Sequence, residues 1–262
     1  MIQVTKKPNG IVEWALTAEP CNEIGSAMLK ALEEALDTLD MTETKALLLY
    51  STSRKGFCAG ADLRELYNGL IATEHDQAHG EIKDFIDRIH TVMNRLDTLP
   101  FTTVAAIHGV CFGGGFELAL TADIRVADAT ARFCFPELRL GIVPGFGGIP
   151  RLNRDVGNAV VRDLLLTGRS LNAKRAAAIG LVSQQVNRGE AVEVARQVAL
   201  QATRFNGETT RRAKAFMKPI PHEELAAEKR LFLEMIQQPV VREGLKTFVE
   251  STSVRPYLPG AA

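Results

Sequence analysis

Two glutamates, Glu117 and Glu137, lie in glycine-rich segments and have the residue type and surroundings that acid/base chemistry requires. Glu117 directly follows the glycines at 113–115 and Phe116, and Glu137 lies shortly before Gly141 and Gly145. Because glycine has no side chain, a carboxylate beside it can face a ligand that the main chain also contacts. Two carboxylates that converge on one cleft form a general acid/base pair. We therefore interpret the chain as an enzyme.

Two glycine-rich segments also offer backbone amides at the start of a predicted helix. In residues 109–117, the first N–H groups of the helix lack a partner and carry the positive end of its dipole. In residues 55–63, small side chains leave the Ala61 amide open, and Asp62 is suited to cap the next helix. A pair of such amides stabilises a carbonyl oxygen that becomes an oxyanion. A phosphate cradle is the competing interpretation, but neither G-x-G-x-x-G spacing nor a Gly-Lys-Ser/Thr sequence supports it.

Hydrophobic patterns predict strands and helices that alternate along the first part of the chain and position these segments. Short apolar runs predict strands at 2–6, 11–16, 46–50, 102–107, 124–127, 132–135 and 181–186. Helical spacing predicts helices at 26–39 and 82–96, and then at 158–166, 172–179, 190–205, 208–217 and 222–248. Alternating strands and helices imply β-α-β units with right-handed crossovers. We predict an α/β core in residues 1–190 that carries the site, followed by a helical region in residues 191–262.

Composition excludes several classes of protein. The chain has 262 residues, enough for one large core. Lys+Arg and Asp+Glu both number 31, so no net basic charge would attract nucleic acid or an acidic membrane. The four cysteines show no C-x-x-C spacing and are expected to be reduced. The amino terminus lacks the apolar run of a signal peptide, and we find no uncharged stretch of about 18 residues. We expect a cytoplasmic protein.

Four blocks of this sequence together resemble the enoyl-CoA hydratase (crotonase) family. They are Ala59-Gly60-Ala61-Asp62; His108-Gly109 with Gly113-Gly114-Gly115-Phe116-Glu117; Phe135-Pro136-Glu137 with Gly141, Pro144-Gly145 and Gly147-Gly148; and Leu166-Thr167-Gly168. Their order and spacing match the family over nearly the whole chain. The resemblance implies an α/β fold built as a crotonase-like spiral of β-β-α units, in which residues 191–262 form a trimerisation region. It also implies an acyl-CoA substrate and a homotrimer or dimer of trimers.

The same resemblance implies roles for individual residues. Ala61 and Gly114 would donate the oxyanion-hole amides, and Glu117 and Glu137 would hold the water or proton. The Gly145 amide would help to orient that water. The CoA site would be bordered by four consecutive residues, Ala61, Asp62, Leu63 and Arg64. We expect no permanently bound cofactor and no metal, with coenzyme A entering as part of the substrate. Apolar neighbours of the glutamates should raise their pKa values and keep one of them protonated near neutral pH.

Departures from the family pattern bear on the acyl group. The usual Gly-Ala-Gly-Gly-Thr-Gln is replaced by Gly145-Phe146-Gly147-Gly148-Ile149-Pro150. The lysine common after Phe248 is absent, and Arg255 is a candidate substitute for its contact with CoA. These changes suggest an unusual acyl substrate, and a thioester on an acyl carrier protein stays open as an alternative.

We interpret the chain as a hydro-lyase that adds or removes water at the double bond of an enoyl thioester. A double-bond isomerase or a carbon-carbon hydrolase is the nearest alternative, because an oxyanion hole serves any enolate chemistry. Two carboxylates favour hydration, since isomerisation needs only one proton shuttle. A non-catalytic thioester-binding or RNA-binding protein of the same fold is the alternative from another class, which the balanced charge disfavours.

Overall fold

A computed structural model describes residues 1–72 and 75–251. The strands in this part of the chain are β1 (Ile2–Lys6), β2 (Ile11–Leu16), β3 (Ala46–Ser51), β4 (Gly56–Cys58), β5 (Thr102–Ile107), β6 (Val110–Phe112), β7 (Ile124–Asp128), β8 (Arg132–Cys134), β9 (Leu171–Asn172) and β10 (Gln184–Val186). The helices are α1 (Ser26–Asp37), α2 (Leu63–Ala72), α3 (His75–Asp97), α4 (Gly114–Leu120), α5 (Gly148–Val156), α6 (Asn158–Thr167), α7 (Ala173–Ala178), α8 (Ala191–Ala202), α9 (Gly207–Met217), α10 (His222–Met235) and α11 (Pro239–Glu250).

The strands form two sheets. The larger has six strands in the order β1-β2-β3-β5-β7-β10, antiparallel only between β1 and β2. This antiparallel pair is a hairpin formed by the first two predicted strands, with Ile2 opposite Leu16. The smaller sheet has the order β4-β6-β8-β9, and its first three strands are parallel.

Successive strand pairs alternate between the two sheets. Each of β3, β5 and β7 lies in the larger sheet, and the strand that follows it lies in the smaller one. Helical structure follows each pair: α2 and α3 after β4, α4 after β6, and a 3₁₀ turn at Glu137–Leu140 with α5 after β8. These are β-β-α units, so the predicted mixed α/β fold with a helical carboxyl-terminal region is confirmed.

Helices cover the larger sheet because their apolar faces match its buried strands. Strand β3 is apolar on both faces, as expected for a strand between helical layers. On one side it meets α8, whose Ala191, Ala195 and Ala199 are buried against residues such as Leu48 and Val104. Small alanines at helical spacing let this helix approach the sheet closely. The division of the chain at residue 190 stays a prediction, and α8 from beyond that point packs on the core.

The helical prediction for residues 222–248 is wrong in one respect. Two helices, α10 and α11, replace the single helix, and residues 236–238 separate them. Proline has no N–H and is tolerated in the first turn of a helix but not in its interior, so it begins α11 instead of continuing α10. Helix α5, which begins at Gly148 directly after Gly145 and Gly147, lies outside the predicted helices.

No helix within residues 1–72 and 75–251 is long and apolar enough to cross a membrane. All four cysteines are free and buried.

Candidate active site

The carboxyl ends of three neighbouring parallel strands bring the sequence-predicted residues together. Strands β4, β6 and β8 lie side by side in the smaller sheet. The chain continues from β4 to Ala61, from β6 to Gly114 and from β8 to Glu137. In open parallel sheets, ligands bind at the carboxyl ends of the strands. Residues far apart in the chain therefore border one site.

The amides of Ala61 and Gly114 are neighbours. A Cβ atom added to Gly114 would lie 3.4 Å from the Ala61 nitrogen, and one added to Gly60 would lie 3.4 Å from the Gly114 nitrogen. Gly113 has a φ of 48°, a left-handed conformation that favours glycine, and it precedes the first residue of α4. Neither amide donates to a backbone or side-chain acceptor in the part of the chain that the structure describes. Among the described residues, two N–H groups without an acceptor thus lie side by side.

Glu117 is a buried carboxyl held by the backbone. It lies in α4 and is 2% exposed. Its Oε1 accepts hydrogen bonds from the amides of Phe146 and Gly148, both at 2.8 Å. Burial raises the pKa of Glu117 to about 7, although the amides of Phe146, Gly148 and Gly145 and the charge of Arg151 oppose the shift. The carboxyl can therefore gain or lose a proton near neutral pH.

Glu137 is a buried carboxyl, and little hydrogen bonding offsets its loss of hydration. Its Oε2 has no hydrogen-bond partner among the described residues. A Cβ atom added to Gly113 would lie 2.6 Å from its Oε1, so the carboxyl lies against the glycine turn. Burial, followed by the charges of Glu117 and Glu228, raises the pKa of Glu137 well above its usual range.

The two carboxyls titrate as a pair. Glu117 receives amide hydrogen bonds that favour its ionised form, whereas Glu137 Oε2 receives none. A negative charge on Glu117 in turn disfavours a second charge on Glu137. This asymmetry favours a proton on Glu137 and a negative charge on Glu117. The raised pKa values agree with the expectation that burial shifts both carboxyls upward, and protonation of one of them near neutral pH stays a prediction.

A third buried carboxyl, Glu228 of α10, contacts the loop formed by residues 145–149. Its Oε1 accepts from the Gly147 amide at 2.7 Å and its Oε2 from the Ile149 amide at 2.8 Å. The alternate amides of the same segment donate to Glu117. Two carboxylates from separate helices thus bind successive N–H groups of one loop. Burial, followed by the charge of Glu117, raises the pKa of Glu228 well above its usual range.

The carbonyl groups of loop 145–149 are also bound. His90 Nε2 donates to the Gly145 oxygen at 2.9 Å, and burial lowers the pKa of this histidine to about 4. The ring is therefore neutral near pH 7, with its proton on Nε2. Arg151 is fully buried, and its Nη1 donates to the oxygens of Phe146 at 3.1 Å and Gly147 at 3.2 Å. Protein groups thus fix both the donors and the acceptors of the loop.

Buried ion pairs anchor Arg151 itself. Its Nε donates to Asp97 at 2.8 Å, and Arg154 and Lys218 also contact this carboxylate, at 3.0 and 2.8 Å. Burial alone would raise the pKa of Asp97, but the three cations bring it to about 2. The carboxylate is therefore charged and paired, and it holds the guanidinium against the loop.

These groups surround a cavity of about 240 Å³. It is lined by Ala61, Gly114, Gly145, Glu117 and Glu137 together with apolar residues that include Ile82, Phe85, Ile86, Leu140, Ile142, Val143, Phe146 and Phe232. The Phe146 ring packs on Gly114, because an added Cβ there would lie 2.6 Å from its Cε2. It also meets the Phe85 ring, with centroids 6.0 Å apart. The departure at position 146 therefore lies in the wall of the cavity.

The residues expected to border CoA divide into two groups. Ala61, Asp62 and Leu63 line the cavity. The Asp62 carboxylate also caps α2, because its Oδ1 accepts from the amides of Arg64 at 3.1 Å and Glu65 at 3.0 Å. Arg64 is exposed, is not part of the cavity wall, and donates to the Val249 oxygen of α11 at 3.2 Å. The candidate substitute Arg255 lies outside the described residues.

Sequence reasoning missed three residues that contact loop 145–149: Glu228, Arg151 and His90. One signal was available for Glu228. It lies between Leu225 and Phe232 at helical spacing, on the buried face of α10, and a glutamate on such a face requires a polar partner. The buried state of His90 and Arg151 had no comparable sequence signal, because it depends on segments far away in the chain.

A family model described as enoyl-CoA hydratase/isomerase matches residues 6–255. The mitochondrial methylglutaconyl-CoA hydratase of Homo sapiens is 35% identical over 184 residues, 70% of this chain and 52% of that protein. The chain thus spans about half of the length of this relative. A Rhizobium meliloti protein named "Probable enoyl-CoA hydratase" is 34% identical over 232 residues, 87% of this chain and 86% of that protein.

Solved structures show the same architecture. The enoyl-CoA hydratase of Bacillus anthracis superimposes with a TM-score of 0.75 at 29% identity, covering 95% of this chain and 96% of that chain. The enoyl-CoA hydratase of Bacillus halodurans, at 22% identity and a TM-score of 0.83, is similar in fold and covers 94% and 98% of the two chains.

Proposed function

This chain belongs to the enoyl-CoA hydratase/isomerase family, and from that premise we propose that it adds or removes water at the α,β double bond of an enoyl-CoA thioester. The observation that carries the proposal is the pair of buried carboxyls, Glu117 and Glu137, in one cavity with the free amides of Ala61 and Gly114. Hydration requires a base, an acid and support for an enolate oxygen, and this set contains all three.

The different hydrogen bonding of the two carboxyls assigns their roles. Glu117, ionised and held through Oε1, removes a proton from water with Oε2 as the water oxygen bonds to the β-carbon. The π electrons of the double bond move to the thioester oxygen, where the amides of Ala61 and Gly114 stabilise the negative charge. Glu137 then gives its proton to the α-carbon. Transfer of a proton from Glu117 back to Glu137, through solvent, restores the starting state.

The assembly and the remaining details of the substrate are also proposals. We propose coenzyme A as the thioester carrier, a trimer or dimer of trimers as the assembly, and the cytoplasm as the location. Support for oligomerisation comes from large apolar side chains exposed in the carboxyl-terminal region, among them Phe205, Phe216, Met217, Leu231 and Val240. Burial of such side chains between subunits would remove them from water.

Ultraviolet absorbance of the conjugated thioester distinguishes hydration from isomerisation. A hydratase given a 2-enoyl-CoA consumes the conjugated double bond, so absorbance falls. An isomerase given a 3-enoyl-CoA forms it, so absorbance rises. We expect the fall, with a 3-hydroxyacyl-CoA product identified by mass spectrometry. A rise on the 3-enoyl substrate with no hydration of the 2-enoyl substrate would replace the proposal with the isomerase, and release of a shorter acyl product would indicate the carbon-carbon hydrolase.

A further inference from the structure

Glu228 differs from Glu117 in how it binds the loop formed by residues 145–149. Glu117 accepts both of its amide hydrogen bonds on one oxygen, Oε1. Glu228 accepts its two on different oxygens, so both oxygens of the carboxylate are engaged by the loop. Both oxygens of Glu228 thus face the loop, and Glu228 is absent from the cavity wall. Its contacts are those of a residue that acts on the loop.

The loop in turn determines how Glu117 is presented. Glu228 and Glu117 bind alternate amides of residues 146–149 from opposite helices, so a change in the position of one set of amides displaces the other. Displacement of a reacting group by about 1 Å can lower a reaction rate about a hundredfold. A residue outside the cavity can thus control the base inside it.

The charge of Glu228 also reaches the proton donor. Two amide donors favour the ionised form of Glu228, whereas Glu137 Oε2 has no donor among the described residues. The other titratable or charged groups around this cluster are Glu117 from α4, Arg151 from α5 and the neutral His90 from α3. Burial and the charge of Glu117 raise the pKa of Glu228, but its two amide donors favour the carboxylate, and a negative charge there, like one on Glu117, raises the pKa of Glu137.

The same helix also closes the cavity. Phe232, one turn after Glu228 in α10, lines the cavity and packs on Gly145, where an added Cβ would lie 2.5 Å from its ring. The carboxyl-terminal region therefore contributes one residue to the cavity wall and one to the loop behind it, besides any part in oligomerisation.

We propose that Glu228 is a positioning residue, which ties helix α10 to loop 145–149 and thereby fixes the orientation of Glu117. This inference rests on the proposed function where it concerns turnover, but its effect on the loop does not. The substitution Glu228→Gln retains the size of the side chain. It places an NH₂ group opposite one loop N–H, so one of the two hydrogen bonds is lost.

The matched control is Glu224→Gln, one turn earlier on α10 at an exposed position. In Glu228→Gln we expect kcat to fall about tenfold to a hundredfold with little change in KM, because the cavity wall is unchanged. The alkaline limb of the pH–rate profile should move to lower pH, since Glu137 loses a negative neighbour. Glu228→Asp, which keeps the charge but is shorter, should lower kcat while leaving this limb nearer to its original position.

Hydrogen–deuterium exchange supplies a readout that does not depend on turnover. Amides of loop 145–149 should exchange faster in Glu228→Gln than in the unaltered protein or in Glu224→Gln, while α8 exchanges as before. An unchanged kcat and unchanged loop exchange in Glu228→Gln would overturn the proposal. So would a lower kcat without a change in loop exchange or in the pH–rate profile. If the protein hydrates no enoyl thioester but loop exchange still increases, the proposed function fails and the positioning role stands.

Discussion

Replacing Glu117 by glutamine should abolish most of the activity while stabilising the protein at alkaline pH. The structure makes this substitution unusually conservative, because both amide donors converge on Oε1 and the single carbonyl oxygen of glutamine can accept from both. The change therefore removes the charge and the titratable proton and leaves the contacts of the loop in place.

The effect on stability follows from the pKa of Glu117, which burial raises from 4.5 to about 7. Between these pH values the folded protein retains a proton that the unfolded chain releases, so the free energy of unfolding decreases as pH rises through this window. At about 1.4 kcal/mol per pH unit over this window, the raised pKa of Glu117 lowers the free energy of unfolding above pH 7 by about 3 kcal/mol. Glutamine does not ionise, so this loss of stability is absent from the variant. At about 2–4 °C per kcal/mol, the thermal midpoint of Glu117→Gln above pH 7 should be about 6–12 °C higher than that of the unaltered protein.

Two measurements test this reasoning. Thermal unfolding of Glu117→Gln and the unaltered protein, at equal concentration and at pH values of about 5 and 8, should show a much larger gain at the higher pH. Turnover of one enoyl-CoA should fall by about 10²–10⁴, and the acid limb that we expect near pH 7 for the unaltered protein should be absent from the variant. Equal changes in midpoint at both pH values would refute the electrostatic argument. Nearly full activity would refute the hydratase assignment.

Three further outcomes are expected. Glu137→Gln should also lower turnover by about 10²–10⁴. The loss in the double variant Glu117→Gln/Glu137→Gln should be far smaller than the product of the two single losses, because residues that act as a unit are not additive. Turnover rates of the three variants test this, and multiplicative losses would contradict the pairing. Gly114→Val should lower turnover at least about a hundredfold, since the added Cβ would lie 2.6 Å from the Phe146 ring and beside the Ala61 amide. The control Gly80→Ala, at a glycine with open space around it, should leave turnover unchanged. A folded Gly114→Val variant with near-normal rates would mean that this amide faces elsewhere. Sedimentation should show a trimer or hexamer, and a stable, active monomer at micromolar concentration would contradict the proposed assembly.

Features that depend on near neighbours in the chain could be predicted from the sequence. The hairpin around Pro8-Asn9-Gly10 and the strand at 102–107 follow from local turn chemistry and short apolar runs. The glycine turns beside Ala61 and Glu117 were visible for the same reason, since a tight turn before a helix is encoded by adjacent residues. At Pro239 two local signals compete, because the apolar period continues whereas proline cannot lie inside a helix, and the structure has a break between α10 and α11 there.

Only the tertiary structure decided which distant residues meet and what their surroundings do to them. Glu228 binds an amide 81 residues earlier in the chain, and Arg151 pairs with Asp97, 54 residues away. No local pattern encodes such pairs, because they arise when separate helices pack around the same loop. The pKa values of Glu117 and Glu137 have the same origin: a carboxyl acquires a raised pKa when the folded chain removes water from it and places another charge nearby. Residue types and local spacing were therefore sufficient to nominate the acid/base pair, whereas the location of its proton depends on burial and hydrogen bonds that exist only in the folded protein.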